Sequence, residues 1–123
     1  MREDVIRAVE THLNGLGARD ISASPFHQDI EFVGPIGPAL KAEPTVRAVF
    51  TGFFPTIKDI HINRHIVDGD WCATVFDFDT IFGIIPMIDC FHVVDGKIKS
   101  IRVYYDPRPS LEGLARAGPT PSS

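Results

Sequence analysis

Three side chains stand out by type and setting. Asp77 alternates with phenylalanine in Val75-Phe76-Asp77-Phe78-Asp79, and Asp89 interrupts the otherwise apolar run Ile84-Ile85-Pro86-Met87-Ile88-Asp89-Cys90-Phe91. His12 lies on an apolar helical stripe with Val5, Val9, Leu13 and Leu16. Two carboxyls in one apolar pocket tend to split their pKa values and so supply one acid and one base. Asp89 is then the acid that hydrogen-bonds a ligand oxygen, and Asp77 the base or water holder. Structural readings stand beside these. Asp89 is equally a buried carboxyl tied to backbone amides or to His12, and His12 a core histidine with its hydrogen bonds met. Tyr105 and Trp71 read as pocket wall.

Other reactive types fall away. His61 and His65 stand ~13 Å apart along a strand, too far for one ion, so no metal is expected. Neither Cys72 nor Cys90 has an obvious activating base. Gly34 and Gly37 lack the Lys-Ser/Thr sequel of a phosphate loop, and there is no serine elbow.

The elements that must position these residues follow from periodicity. Residues 4–16 form a helix, ended by Gly15 and Gly17. Asp20 to Phe26 is at most a short helical turn, Asp29 to Val33 is extended, and Gly34-Pro35-Ile36-Gly37-Pro38 is a loop. A second helix runs from Glu43 to Phe54, with Pro44 in its first turn and Pro55 as its stop. Four strand-like runs follow: Ile60 to Val67, Trp71 to Ile81, Ile84 to Val94 and Lys97 to Asp106. Turns at Asp68-Gly69, Phe82-Gly83 and Asp95-Gly96 join them. Helices followed by an antiparallel meander make an α+β domain over residues 1–106. Residues 107–123 read as a loose tail, with a short helix over 111–117.

Composition narrows the partners. The chain has 123 residues, 44% of them hydrophobic, and a net charge of -4. That is enough for one core-forming domain, without the basic footprint of a nucleic-acid or acidic-membrane binder. No run is long enough to span a membrane, and Met1-Arg2-Glu3-Asp4 lacks the apolar stretch of a signal peptide, so a cytoplasmic protein is expected.

The strand faces admit two readings. Charged groups are rarely buried unpaired, which puts Phe76 and Phe78 inside and the aspartates in water. The run from Ile84 to Phe91 is apolar on both faces, however, so Asp89 is protected whichever way it turns. A turn of Phe82-Gly83-Ile84 sets Asp77 directly across from Asp89, whereas a two-residue turn breaks that pairing.

The element order, and above all Phe91-His92-Val93-Val94-Asp95-Gly96-Lys97-Ile98 followed by Ile101-Arg102-Val103-Tyr104-Tyr105-Asp106, resembles the cone-shaped fold of the nuclear transport factor 2 superfamily. Within it the chain is similar to limonene-epoxide hydrolases, SnoaL-like polyketide cyclases and ketosteroid isomerase. Against the hydrolases, the first catalytic aspartate matches Asp77. The arginine position is Val75, the second aspartate Val103, and the tyrosine and asparagine positions Glu31 and Val33. Against the isomerase, Asp89 matches the protonated oxyanion-hole aspartate, a carboxylic acid kept neutral by its apolar site. The oxyanion-hole tyrosine matches His12, the proton-abstracting aspartate Gly34, and an aromatic lining position Tyr105. Only this match implies a role for His12, that of an assisting donor.

The resemblance turns the odd-numbered side chains Asp77, Asp89, Val103 and Tyr105 inward and Phe76, Phe78, Cys72, Cys90 and Tyr104 outward. It implies a cone with a curved antiparallel sheet on the N-terminal helices. It also implies a cofactor-free enzyme using acid–base catalysis on a small hydrophobic oxygenated substrate, of isomerase or cyclase type. Water addition to an epoxide and non-catalytic ligand binding are the alternatives. Tyr105, Trp71, Val75, Val103, Met87 and Glu31 are the expected ligand-binding residues. An apolar outer sheet face calls for a homodimer.

Overall fold

The computed structural model describes residues 2–109 and 111–112. The first helix, α1 (Arg2–Gly17), buries Val5, Ala8, Val9, His12, Leu13 and Leu16, the stripe expected from the sequence together with Ala8. Glu3 and Asp4 stand in its first turn, where acids favour the helix dipole. At its other end the chain doubles back so tightly that a Cβ on Gly15 would lie 2.5 Å from the Asp20 carbonyl oxygen. Strand β1 (Phe26–Val33) begins earlier than expected. It pairs with a two-residue strand, β2 (Leu40–Lys41), across the Gly-Pro loop. Helix α2 (Glu43–Phe53) carries Pro44 in its first turn and passes into a 3-10 turn at Phe54–Thr56.

The meander follows as β3 (Ile57–Asp68), β4 (Trp71–Thr80), β5 (Gly83–Val94) and β6 (Lys97–Tyr105). The six strands form one sheet in the order β2-β1-β6-β5-β4-β3, and β1 runs parallel to β6, so the sheet is mixed. The two helices pack on its inner face over a core that includes Leu13, Ile30, Phe50, Phe76, Phe91 and Ile101. Pro86, which has no N–H for a ladder, stands just beyond the last β5–β6 pair, Met87 with Tyr105. Of the expected helix over 111–117, Leu111 and Glu112 are helical, and 113–117 lie outside the described residues.

The turn between β4 and β5 corrects the expected register. Thr80 pairs with Gly83, which leaves only Ile81 and Phe82 in the turn. The Thr80 hydroxyl donates to the Gly83 carbonyl at 2.8 Å and accepts from the Phe82 amide at 3.1 Å, which locks the short loop. Asp77 therefore pairs with Pro86, and Asp89 with Thr74. Because side chains alternate, Phe76 and Asp89 point to the inner face while Asp77 points to the outer one. Burying Phe76 is worth ~2–3 kcal/mol, whereas an inward Asp77 would carry a desolvation cost instead.

Four other placements change with it. Phe78 packs against the core, and Cys72 is buried on the inner face, both opposite to expectation. Trp71 is 48% exposed on the outer face, stacked on His92 at 4.2 Å between ring centroids, and is not a wall of the interior. Val75 shares that outer face, paired with Ile88. Cys90 and Tyr104 do lie outside, as expected.

Candidate functional site

The inner face is organised in rows that cross the strands. One row reads His65, Thr74, Asp89, Val103, and the next reads Ile62, Phe76, Met87, Tyr105. Asp89, Val103, Met87 and Tyr105 are thus brought together, as the sequence reading required. Asp89 is 5% exposed, and its Oδ1 is buried with no protein partner among the described residues. Burial pushes its carboxyl up to about 8. At neutral pH Asp89 is a carboxylic acid, with an O–H to donate. Burial also pushes the Tyr105 phenol up.

His12 reaches the same interior from α1. Its ring is enclosed by Phe26, Phe50 and Phe91, with centroids at 5.0, 5.1 and 6.1 Å. Burial, and next the charge of Arg47, hold its pKa down at about 3, so the imidazole is neutral. Nδ1 is 3.0 Å from the Ser24 hydroxyl, and Nε2 is buried without a protein partner among the described residues. When Ser24 donates to Nδ1, the ring proton sits on Nε2 and faces the interior as a second donor. Arg47 is itself fixed by Glu43 and by the carbonyls of Ile21 and Ser24, so it anchors the segment that carries Ser24. Phe91, whose ring centroid is 6.1 Å from that of His12, lies two residues beyond Asp89 on the same strand face.

The remaining candidates lie elsewhere. Glu31 pairs with Lys41 at the sheet edge, 3.9 Å between charged atoms, and takes no part in the interior. His61 and His65 fall on opposite faces because β3 bulges at Asn63, which adds to the distance argument against a shared ion. Sequence reasoning missed three contacts. Ser24 on His12 had no signal in the sequence. His65 bonds Glu10 through Nε2 and Thr74 through Nδ1, each at 2.8 Å, and only the register could have indicated the Thr74 contact. A cleft of about 230 Å³ opens beside Val33, Gly34 and Pro35 and is bordered by Val103 and Tyr105, next to the Asp89 row. A larger cleft of about 610 Å³, between the start of α1 and the Asp95-Gly96 turn, contains none of the candidate residues. The smaller one touches the expected ligand-binding residues Val103 and Tyr105, but neither cleft is lined by Asp89 or His12.

The family model of the SnoaL-like domain matches residues 9–101, which include His12, strands β3 to β5 with Asp89, and the first half of β6. The chain belongs to the SnoaL-like family. No curated protein matches it. Among solved structures, this SnoaL-like chain is similar to a steroid delta-isomerase from Pseudomonas aeruginosa, with 20% identity and TM-score 0.74 over 92% of this chain and 87% of that one. It is similar to an LEH-like epoxide hydrolase from M. tuberculosis, with 23% identity and TM-score 0.76 over 93% and 91%. A putative SnoaL-like polyketide cyclase from Jannaschia sp. CCS1 shares 15% identity at TM-score 0.74 over 96% and 94%. These likenesses establish the cone fold, which hosts several chemistries, and the choice among them rests on the site. No helix among the described residues of this SnoaL-like chain is long and apolar enough to cross a membrane.

Proposed function

We propose that the cone interior binds a small, largely apolar molecule through an oxygen atom, with the Asp89 carboxylic acid and His12 Nε2–H as hydrogen-bond donors. The observation that carries this reading is the pair of buried polar atoms without protein partners among the described residues, His12 Nε2 and Asp89 Oδ1. Two neutral donors aimed at one oxygen stabilise negative charge that develops there, as when a carbonyl becomes an enolate. That is cofactor-free isomerase or cyclase chemistry, and it is the reading supported best. Epoxide hydration is supported less well, because Val75 and Val103 occupy its arginine and second-aspartate positions and Asp77 faces away from the interior. One observation favours a second reading, binding without turnover: Asp77, the expected base, lies on the other face of the sheet from Asp89.

The test is turnover of conjugated ketones and of epoxides by the purified protein and by Asp89→Asn. Ketone isomerisation that drops about 100-fold in the variant supports the enzyme reading. Binding of the ketone without turnover, weakened in the variant, supports the second. If the variant binds and turns over like the wild type, Asp89 is not the donor and both readings fail.

We also infer that the outer face of the sheet pairs with a second copy. Ile66, Ala73, Val75, Ile88, Cys90 and Tyr104 form its apolar centre, and Arg64 and Arg102 stand on opposite edges. A twofold axis along the strands lays Val75 of one copy over Ile88 of the other, and no charge then meets its like. Four strands by five rows give a footprint of about 500 Å² per copy, near the lower end for stable interfaces once side-chain relief is added. Sedimentation should give twice 13.6 kDa for the wild type and a monomer for Ile88→Asp. A wild-type monomer, or a dimer unchanged by that substitution, removes the inference.

A further inference from the structure

The polar residues of the His65 row are not used by the donor site, yet they lead to it. His65, Thr74 and Asp89 are consecutive partners across β3, β4 and β5 on the inner face. The outer end of the row is closed by α1, where the Glu10 carboxylate lies 2.8 Å from His65 Nε2. A carboxylate only accepts, so the proton of a neutral His65 ring sits on Nε2. Nδ1 is then an acceptor, and the Thr74 hydroxyl at 2.8 Å donates to it. This leaves the lone pairs of Thr74 Oγ1 free to accept. One candidate donor is the Cys72 thiol at 3.4 Å. The other is the residue directly opposite on β5, Asp89, whose Cβ in such a pair lies about 5 Å away.

From Thr74 to Glu10 the donors and acceptors have one consistent direction, towards a surface carboxylate, and the buried Asp89 faces Thr74 across the strand pair without a hydrogen bond to it. Glu10 has 46% of its side chain exposed, whereas Asp89 is buried and Thr74 fully so. A buried carboxylic acid that gives and regains a proton needs a route to water, and this row is built as one.

We propose that Glu10, His65 and Thr74 form a proton line between solvent and the Asp89 carboxyl. In one passage the Asp89 O–H proton moves to Thr74 Oγ1, the Thr74 proton moves to His65 Nδ1, and the Nε2 proton of His65 moves to Glu10. Asp89 becomes the carboxylate and Glu10 the acid, so charge and protons balance, and Glu10 exchanges its proton with water. The reverse passage reprotonates Asp89. The other polar groups facing this line are Cys72 on β4 and Arg2, whose charge reaches Cys72 from the start of α1. On the far side of Asp89, β6 presents the apolar Val103. Thr74, His65 and Glu10 are positioning and relay residues here, since none touches the proposed ligand. The proposal rests on the reading of Asp89 as a neutral donor.

The experiment is infrared spectroscopy of the full chain near pH 6, following the carbonyl band of the protonated Asp89 carboxyl as it shifts on mixing into heavy water. Asp89→Asn assigns the band by removing it. In Thr74→Val, nearly the same shape without the hydroxyl, the band should keep its frequency, since Asp89 has no hydrogen bond to Thr74 to lose. Its deuteration should slow by about tenfold or more, the effect of one lost link. In Glu10→Gln the frequency should stay and the rate alone should fall. Exchange at the wild-type rate in both variants overturns the proton line while leaving the donor reading intact. A wild type with no such band overturns the donor reading itself. Should Thr74→Val fail to fold, Glu10→Gln, a substitution at a half-exposed site, decides the matter by its rate.

Discussion

His12 and Asp89 make opposite demands on pH, and in one window Asp89 acts without His12. The Asp89 carboxyl moves from 3.8 to about 8 on folding. Below 3.8 both the folded and unfolded chains hold this proton. Above 3.8 the unfolded chain releases it and the folded chain retains it, so stability falls by ~1.4 kcal/mol per pH unit until about pH 8. His12 moves the other way, from 6.5 to about 3. Above 6.5 both states are neutral. Below 6.5 the unfolded chain takes up a proton that the folded chain refuses, so stability falls at the same rate as pH drops towards 3. From about pH 4 to 6.5 the two slopes cancel. From 6.5 to 8 only Asp89 acts, and the chain should lose about 2 kcal/mol, a large share of the stability of a domain this small. At the acid end His12 acts without Asp89, and the depressed carboxyls of Asp20 and Asp106 add to the loss there. Urea unfolding followed by circular dichroism at closely spaced pH values measures this profile. In Asp89→Asn the fall above 6.5 should vanish. The uncovered His12 slope should raise stability by about 3 kcal/mol between pH 4 and 6.5. Wild-type stability that is level or rising from 6.5 to 8, or a variant that keeps the wild-type fall, would refute the reasoning.

Two further outcomes follow from the register and from the helix contact. Phe76→Ala should cost ~3–5 kcal/mol and Asp77→Ala no more than ~0.5, read as urea midpoints, and the opposite ranking would mean that β4 faces the other way. Glu10→Ala leaves His65 Nε2 without its partner and should cost ~1–2 kcal/mol, with faster amide exchange in α1 but not in β6; uniform exchange would show that Glu10 does not tie the helix to the sheet.

Much of this was legible in the residues. The stripe on α1, Pro44 and Pro55 around α2, and the Asp-Gly turns located the helices and the meander to within a few residues, because each signal is local. The short strand at Leu40–Lys41 and the parallel β1–β6 pairing were not legible, since both depend on which distant segments meet. That Asp89 is protected was legible because its strand is apolar on both faces, and its inward direction came from the resemblance. The position of Asp77 was not. A carboxylate every second residue fits either face, and one residue more or less in the Thr80–Gly83 turn decides between them. The resemblance favoured the inward choice. The hydroxyl of Thr80, which closes the turn on two residues, overruled it.

That single hydroxyl changes the chemistry open to the cone. Two facing carboxyls would share a proton and a charge, and would form an acid–base pair that titrates as a unit. One buried carboxyl with no second carboxyl facing it has no partner to share with, so desolvation keeps it neutral at ordinary pH. On the proposed reading its use is to donate a hydrogen bond, and the neutral His12 adds a second donor rather than a base. A site of two donors holds an oxygen and favours negative charge on it, but does not itself remove a proton. Isomerase-type turnover therefore requires a base from outside this pair, and the proton line to Glu10 would keep the donor protonated between turnovers. If turnover is absent, the same two donors still select an oxygenated ligand, because an apolar molecule without that oxygen would leave both buried atoms unpaired. Comparing a ketone with the corresponding hydrocarbon of the same shape isolates this term. The ketone should bind at least about tenfold more tightly, and equal affinities would mean that neither Asp89 nor His12 reaches the ligand.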